Sequence, residues 1–160
     1  MRKVALFVSF LFLGLTYGQN NQLELVQADK NWQEGKYEEA ITIYLKYGAE
    51  GVLTAEQEFK LGMAYDLGKG VEKDNHKSVM WFEESAKKGY APAMSAAASM
   101  YLGYLVTDAS GNKRYVNDPE KAYYWYQKAC ESGDKTACKR IKKKKKRERV
   151  LPLSSALGAV

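Results

Sequence analysis

Apolar residues between positions 55 and 134 gather into four short clusters, which polar residues and glycines separate from one another. In chain order the clusters contain Phe59, Leu61, Met63 and Tyr65; Val79, Trp81, Phe82 and Ala86; Ala93, Ala96, Ala97 and Ala98; and Ala122, Trp125, Tyr126 and Ala129. In the second and fourth clusters the spacing suits one stripe along a helix, and the alanines of the third let neighbouring helices approach closely. The pattern predicts four short helices that pack through these positions.

Glycines and capping residues mark the ends of these helices. The first is expected to stop at Gly68, which begins a Gly-Lys-Gly turn. The second begins with Asp74 or Asn75 as its N-cap, because a short polar side chain satisfies the free amides of a first helical turn. Gly89 then ends this helix in the left-handed conformation. Asp118, which a proline follows, marks the start of the fourth helix.

The four helices form two copies of one repeat. Residues 55–90 align with residues 91–134, at an offset of 36 in the first halves and 44 in the second halves. Trp81 therefore corresponds to Trp125. The change of offset means that the second repeat carries eight extra residues, within Gly103 to Val116. Because insertions in repeat proteins map to surface loops that often bind ligands, this segment is either a binding loop or a tolerated surface extension.

A further helix pair precedes the repeats at residues 23–50, and a polar capping helix follows them at 135–146. One helix pair cannot bury its apolar face alone, whereas stacked pairs share a continuous core. We therefore expect an all-α domain over residues 19–140, built as a short right-handed α/α solenoid of six or seven helices.

The first 18 residues have the three parts of a secretory signal peptide. Two basic residues precede an apolar run from Val4 to Leu15, and small residues follow it. The run is shorter than the roughly 20 residues that span a bilayer. We expect cleavage between Gly18 and Gln19 and a secreted or periplasmic bacterial protein; the alternative is a buried helix or a retained anchor.

The net charge of +6 is unevenly distributed. Residues 139–149 contribute +8 and the first 18 residues +2, which leaves −4 on the remainder. The basic run is either a solvated helix end that continues into a disordered tail at 147–160, or an anchor for anionic lipids or glycans. The candidate polyanion-binding residues are Lys142, Lys143, Lys144, Lys145, Lys146 and Arg147. Nucleic acid is not an expected partner, because nuclear import conflicts with a signal peptide.

The first repeat resembles the Sel-1-like repeat, a relative of the tetratricopeptide repeat. The matching positions are Leu61, Gly62, Tyr65, Gly68, Gly70, Val71, Asp74, Lys77, Trp81, Phe82, Ala86 and Gly89. The resemblance extends over residues 55–140 and more loosely over 23–48, although Ala98 stands where the family has glycine. It implies a monomeric, non-catalytic scaffold that binds a protein or peptide along a groove formed by the first helix of each pair. By this analogy the groove residues are Met63, Asp66, Ser99 and Leu102.

The cysteines of the chain are Cys130 and Cys138, between two charged helical segments. The residues alone allow a metal clip, a redox centre, idle thiols or a disulfide, although export favours a disulfide. Structural zinc is not expected, because His76 is the only histidine and no CxxC motif is present. The resemblance adds a specific implication, since cysteine-rich secreted relatives join two cysteines with seven residues between them across the turn between repeats.

Candidate catalytic chemistry is sparse, and we expect no catalytic residue, cofactor or metal. His76 falls in a solvent-facing first turn and offers little support for a nucleophile pair. Some cysteine-rich relatives have been credited with β-lactam binding or hydrolysis, and both Ser85 with Lys88 and Ser132 with Lys135 satisfy S-x-x-K. The S-D-N and K-T-G elements that complete such a site are absent from the sequence. A β-lactamase-like enzyme is therefore kept as an alternative to the scaffold.

Overall fold

The computed structural model describes residues 21–107 and 113–150, and the predicted signal peptide lies outside these ranges. The described residues form helices α1 (21–33), α2 (Tyr37–Gly48), α3 (Ala55–Leu67), α4 (Asn75–Lys87), α5 (Ala91–Tyr101), α6 (Pro119–Glu131) and α7 (Lys135–Val150), and strands β1 (Tyr104–Thr107) and β2 (Lys113–Val116). From α2 onward each helix packs on the next one along the chain, which is the arrangement of an α-solenoid. The predicted fold class is confirmed.

Side-chain caps fix where the repeat helices begin. Thr54 and Gln57 form a capping box at the start of α3, in which each side chain accepts a hydrogen bond from the other residue's amide, at 3.3 and 3.0 Å. At the start of α4 the N-cap is Asp74, and Asn75 is the first helical residue. Asp118 caps α6 in the same way, by accepting a hydrogen bond from a first-turn amide at 2.9 Å.

The turn between α3 and α4 contacts the start of α2 through its backbone. Gly68 ends α3 in the left-handed conformation, with a φ of 67°. Gly70 also has a positive φ, and a Cβ atom there would lie 2.5 Å from the Glu38 nitrogen and 2.6 Å from the Tyr37 carbonyl carbon. Only glycine fits this position, because both its conformation and its clearance exclude a side chain.

The apolar side chains form two cores that the first repeat connects. The first core contains Leu25, Ala28, Ala40, Ile41, Tyr44, Tyr47, Leu53, Leu61 and Ala64. The second core contains Val79, Phe82, Ala86, Ala93, Met94, Ala97, Ala98, Tyr101, Ala122, Trp125, Tyr126, Ala129 and Ala137. Trp81 of α4 packs against the first core, whereas Phe59 and Met63 of α3 pack against the second. The pair α3–α4 therefore joins both cores.

The insertion in the second repeat was expected as a loop, but it forms a two-stranded antiparallel hairpin. Tyr104 pairs with Val116, and Leu105 pairs with Tyr115. The side chain of Asn75 donates a 2.7 Å hydrogen bond to the Leu105 carbonyl, which attaches the hairpin to α4. Aromatic and β-branched residues in both segments favour strands, so the signal is present in the sequence. Residues 108–112, which connect the strands, lie outside the described residues.

The capping helix α7 is four residues longer than the predicted 135–146, since it continues to Val150. Lysine and arginine are good helix formers, and cations near a helix C-terminus interact favourably with the helix dipole. Ala137 is fully buried and Ile141 packs against the second core, so α7 covers the end of the solenoid. The rest of the predicted tail, 151–160, lies outside the described residues.

Candidate functional site

A disulfide bond between Cys130 and Cys138 joins the end of α6 to the start of α7. The two Cα atoms are 4.7 Å apart, and the chain reverses between them at Gly133, which has a φ of 95°. Asp134 accepts hydrogen bonds from two amides of the first turn of α7 and a further one, of 2.5 Å, from Ser95 of α5. This confirms the predicted disulfide, and the polar contacts hold the same turn against α5.

Two of the four predicted groove residues belong to α3 and are partly covered. Met63 is partly buried against the second core. Asp66 is partly buried as well, and its carboxylate forms a long ion pair of 3.9 Å with Lys73 in the turn after α3. Neither side chain is fully presented to solvent in this arrangement.

The other two predicted groove residues lie beside α6. The hydroxyl groups of Ser99 and Tyr126 are 2.9 Å apart and hydrogen-bonded. Leu102, which follows α5, is 45% exposed, a large fraction for a leucine. Their role in binding stays a prediction.

Leu102 also borders a cleft between α6 and α7, with a volume of about 330 Å³. We call it the α6–α7 cleft. Its lining residues are Leu102, Pro119, Ala122, Tyr123, Tyr126, Arg140, Ile141, Lys143 and Lys144. The lining combines aliphatic and aromatic side chains, which we call the floor, with three cations, which we call the rim. None of the described side chains in this lining is a carboxylate.

Two cations of the cleft are positioned over aromatic rings of α6. The guanidinium carbon of Arg140 lies 5.2 Å from the ring centre of Tyr126, and the ammonium of Lys144 lies 4.2 Å from that of Tyr123. Cation–π attraction of this kind favours fixed positions for the charges. The sequence identified the basic run but did not show that these tyrosines face it. A sequence signal was present, because Tyr123 and Tyr126 are three residues apart and Arg140 and Lys144 are four apart. Each pair therefore lies on one face of its helix.

The remaining members of the predicted polyanion set continue along α7. Lys142 and Lys143 are exposed, and Lys144 is partly buried. The side chains of Lys145, Lys146 and Arg147 lie outside the part of the chain that the structure describes.

A polar network crosses the boundary between the two repeats. Lys121 of α6 lies 2.9 Å from the Glu83 carboxylate of α4 and donates a 2.6 Å hydrogen bond to the Tyr101 hydroxyl. Trp125 donates to Glu83 at 3.3 Å. Burial would raise the pKa of Glu83, but the hydrogen bonds from Lys121 and Tyr101 outweigh burial and lower it. Sequence reasoning missed this network, because its members are far apart in the chain.

A second network joins the N-terminal helix pair to the first repeat. The Asp29 carboxylate accepts hydrogen bonds from Tyr44 at 2.7 Å, Gln57 at 2.9 Å and Lys60 at 2.7 Å. Burial would raise the pKa of Asp29, but these three donors outweigh it and hold the pKa below its ordinary value. Burial likewise opposes the charge on Lys60, yet its contacts with Asp29 and Glu56 raise its pKa. Because these contacts join α1, α2 and α3, the network serves to hold the helices together.

The two S-x-x-K matches differ in exposure. Ser85 is fully buried, and its hydroxyl donates a 2.5 Å hydrogen bond to the Ala55 carbonyl. Lys88 forms an ion pair of 2.8 Å with Glu58. Ser132 is exposed, with its hydroxyl 3.8 Å from the sulfur of Met94. Ser85 is thus placed as a packing residue rather than as a nucleophile open to substrate.

Metal ligands and membrane spans are not evident in the described ranges. No three His, Cys, Asp or Glu side chains gather there as a metal-ligand set, and His76 is exposed at the start of α4. None of the helices in residues 21–107 and 113–150 has the length and apolar character needed to cross a bilayer.

Comparison with known proteins gives a family and a structural neighbour. The Sel1 repeat model matches residues 58–90 and 93–134. The crystal structure of a Sel1 repeat protein from Oxalobacter formigenes is similar in fold, with a TM-score of 0.58 at 23% identity. The likeness covers 73% of this chain and 44% of that protein, so this chain spans less than half its length. No curated protein sequence matches the chain.

The family matches coincide with the helix pairs of the structure. Residues 58–90 take in most of α3 and all of α4, and residues 93–134 contain most of α5, the hairpin and α6. The Asp74 and Asp118 caps and the paired tryptophans Trp81 and Trp125 occupy the expected positions in both units. The chain therefore contains two adjacent Sel1 repeats, at residues 58–90 and 93–134.

Proposed function

We propose that this protein is an exported, non-catalytic scaffold that binds a protein or peptide partner. The observation that carries the proposal is the pair of adjacent Sel1 repeats, because repeats of this family generally mediate protein interactions. The repeats stack as a solenoid, a form that offers extended surfaces for partners. The predicted groove residues Met63, Asp66, Ser99 and Leu102 are the first candidates for contact.

Capture of partners tests the scaffold. The disulfide-bonded protein, immobilised and exposed to envelope extract, is expected to retain a defined partner. The double variant Asp66→Arg/Ser99→Arg should lose it, whereas Met80→Arg, a change at an exposed apolar residue of α4, should retain it. Equal retention by all three proteins would contradict the groove, and retention by none would contradict the scaffold.

Export is part of the proposal. The signal-like sequence at 1–18 supports it, and so does the disulfide, because such bonds persist mainly in oxidising compartments. Fractionation of bacteria that express the full chain, followed by N-terminal sequencing, is expected to find a mature protein that begins at Gln19 outside the cytoplasm. An uncleaved protein in the cytoplasm would contradict export.

Two alternatives from the sequence have direct tests. β-Lactam acylation of Ser85 would add the mass of penicillin to the wild-type chain and not to Ser85→Ala; its burial makes an unchanged mass the expected result. A polyanion tether, supported by the exposed Lys142 and Lys143, predicts salt-sensitive binding to anionic vesicles that deletion of residues 139–149 abolishes.

A further inference from the structure

We propose that the α6–α7 cleft binds a partner peptide in which carboxylates flank a large apolar side chain. The inference rests on the proposed scaffold function and specifies the chemistry of the ligand. It places recognition at the end of the solenoid that the disulfide closes, rather than along the first helices alone.

The floor of the cleft accounts for the apolar part of the ligand. Leu102 is 45% exposed, and Tyr123 and Ile141 are partly exposed, so apolar surface is accessible here inside a concavity. A volume of about 330 Å³ is at the lower end of ligand pockets. It suits a large side chain rather than a cofactor.

The rim accounts for the carboxylates. Arg140, Lys143 and Lys144 line the same cleft, and the ring contacts with Tyr126 and Tyr123 hold two of these charges in place. Positioned cations lose less conformational entropy when they bind, and guanidinium groups match carboxylates in geometry. Asp134 interacts electrostatically with Arg140 but does not line the cleft. The described side chains of the lining therefore carry a net positive charge, which complements an acidic peptide.

The shape of the site favours a peptide over an anionic membrane. A bilayer surface would contact exposed cations of α7 whether or not an apolar floor lay between them. Binding to a bilayer should then depend on charge alone. A peptide that inserts a side chain should depend on both the floor and the rim, so Leu102 and Arg140 would contribute together.

Fluorescence anisotropy with labelled peptides on the disulfide-intact protein tests the inference. The probe is a heptapeptide with phenylalanine at its centre and glutamates around it; the two matched peptides replace either the phenylalanine by glycine or the glutamates by glutamine. We expect the probe to bind in the micromolar range and each matched peptide to bind at least about tenfold more weakly.

Variants locate the site. Leu102→Asp and Arg140→Glu should each weaken binding of the probe by about tenfold or more. Lys139→Glu makes the same charge change at an exposed position of α7 outside the cleft, and it should have a much smaller effect. Circular dichroism checks that each variant keeps its helices.

Three results would overturn the inference: no binding of the probe, equal loss in Lys139→Glu and Arg140→Glu, or binding of anionic vesicles that Leu102→Asp leaves unchanged while the probe does not bind. The scaffold would still stand in each case if the immobilised wild-type protein retained its partner from envelope extract and Arg140→Glu, a change in the cleft but outside the predicted groove, retained it equally. Loss of partner capture by the wild type would instead remove the function itself.

Discussion

Lys121 of the second repeat and Glu83 of the first form an ion pair of 2.9 Å across the boundary where the repeats stack. The Glu83 side chain is 17% exposed, so its charge is largely withdrawn from water. Lys121 and Trp125 of α6 and Tyr101 of α5 direct hydrogen-bond donors towards it. The contact between the repeats at this point therefore depends on the charge of the Glu83 carboxylate.

Replacement of Lys121 by methionine should destabilise the fold. The substitution leaves the Glu83 carboxylate without its closest charged donor, and such a loss costs about 1–3 kcal/mol for a buried polar group. Urea unfolding measures the change. Lys128→Met, which removes an exposed ion pair with Glu131, serves as the control and should cost much less, because water and salt screen the pair. If the two variants lose equal stability, the boundary pair has no special role.

Removal of the disulfide should lower the free energy of unfolding by about 2–3 kcal/mol, because the bond restricts a short loop in the unfolded chain. The variant Cys130→Ser/Cys138→Ser provides the measurement by urea unfolding. A reductant should destabilise the wild type to a similar extent and leave the variant unchanged. An insensitive wild type would mean that the bond does not contribute to stability.

Gly62→Ala should destabilise the protein although alanine is the better helix former. A Cβ atom at this position would collide with the ring of Phe82 across the α3–α4 contact. Overpacking costs about 1–3 kcal/mol, which exceeds the gain of about 1 kcal/mol in helix propensity. Thermal and urea unfolding report the net change.

The effect of Gly62→Ala should shrink in a Phe82→Leu background, because the smaller side chain leaves room for the methyl group. Comparison of the two single variants with the double variant isolates this coupling. If the losses of stability in the two single variants simply add in the double variant, the cost of Gly62→Ala does not arise from a collision with Phe82.

Asp29 should make the stability depend on pH in the acid range. Its hydrogen bonds hold its pKa below the ordinary value of 3.8, so the folded state binds this proton less readily than the unfolded chain does. The stabilisation is fully present above that ordinary value and is lost as the pH falls through the lower folded pKa. The difference in unfolding free energy between wild type and Asp29→Asn should thus be largest near neutral pH and shrink towards pH 3.

A control for this dependence is Glu38→Gln, which removes the same charge at an exposed residue of α2. Unfolding of this variant is measured over the same pH range, and the change specific to Asp29 is what remains when the two comparisons are subtracted. A difference for Asp29→Asn that stayed constant with pH would falsify the role assigned to its carboxylate.

The repeat architecture was predictable because short-range sequence signals, the helix caps and the glycines that end helices, determine it. Asp74, Asp118 and the glycines that follow each helix have the same effect wherever the chain goes next. Trp81 and Trp125 repeat at matching positions, so the number and direction of the helices followed from the sequence. The hairpin at 104–116 was missed although its strands carry ordinary β signals, because the segment was interpreted as an insertion in a helical repeat.

The α6–α7 cleft and the polar networks were not predictable from the sequence in the same way. The sequence places Arg140 and Lys144 in a basic run, but only the packing of α7 on α6 brings them over Tyr126 and Tyr123. The Glu83–Lys121 pair similarly depends on how two repeats stack. Contacts between residues distant in the chain have no spacing rule that a single sequence reveals.

The approach of Gly70 to the backbone of α2 has a consequence for the shape of the N-terminal end. The nearest atoms to a side chain at that position belong to the main chain of Tyr37 and Glu38, not to side chains that could adjust. Substitution of the surrounding side chains would therefore leave the tilt of the pair α1–α2 unaltered. Replacement of Gly70 would instead push the start of α2 away from the turn between α3 and α4. The curvature at this junction therefore depends on Gly70 having a hydrogen atom where every other residue has a Cβ atom.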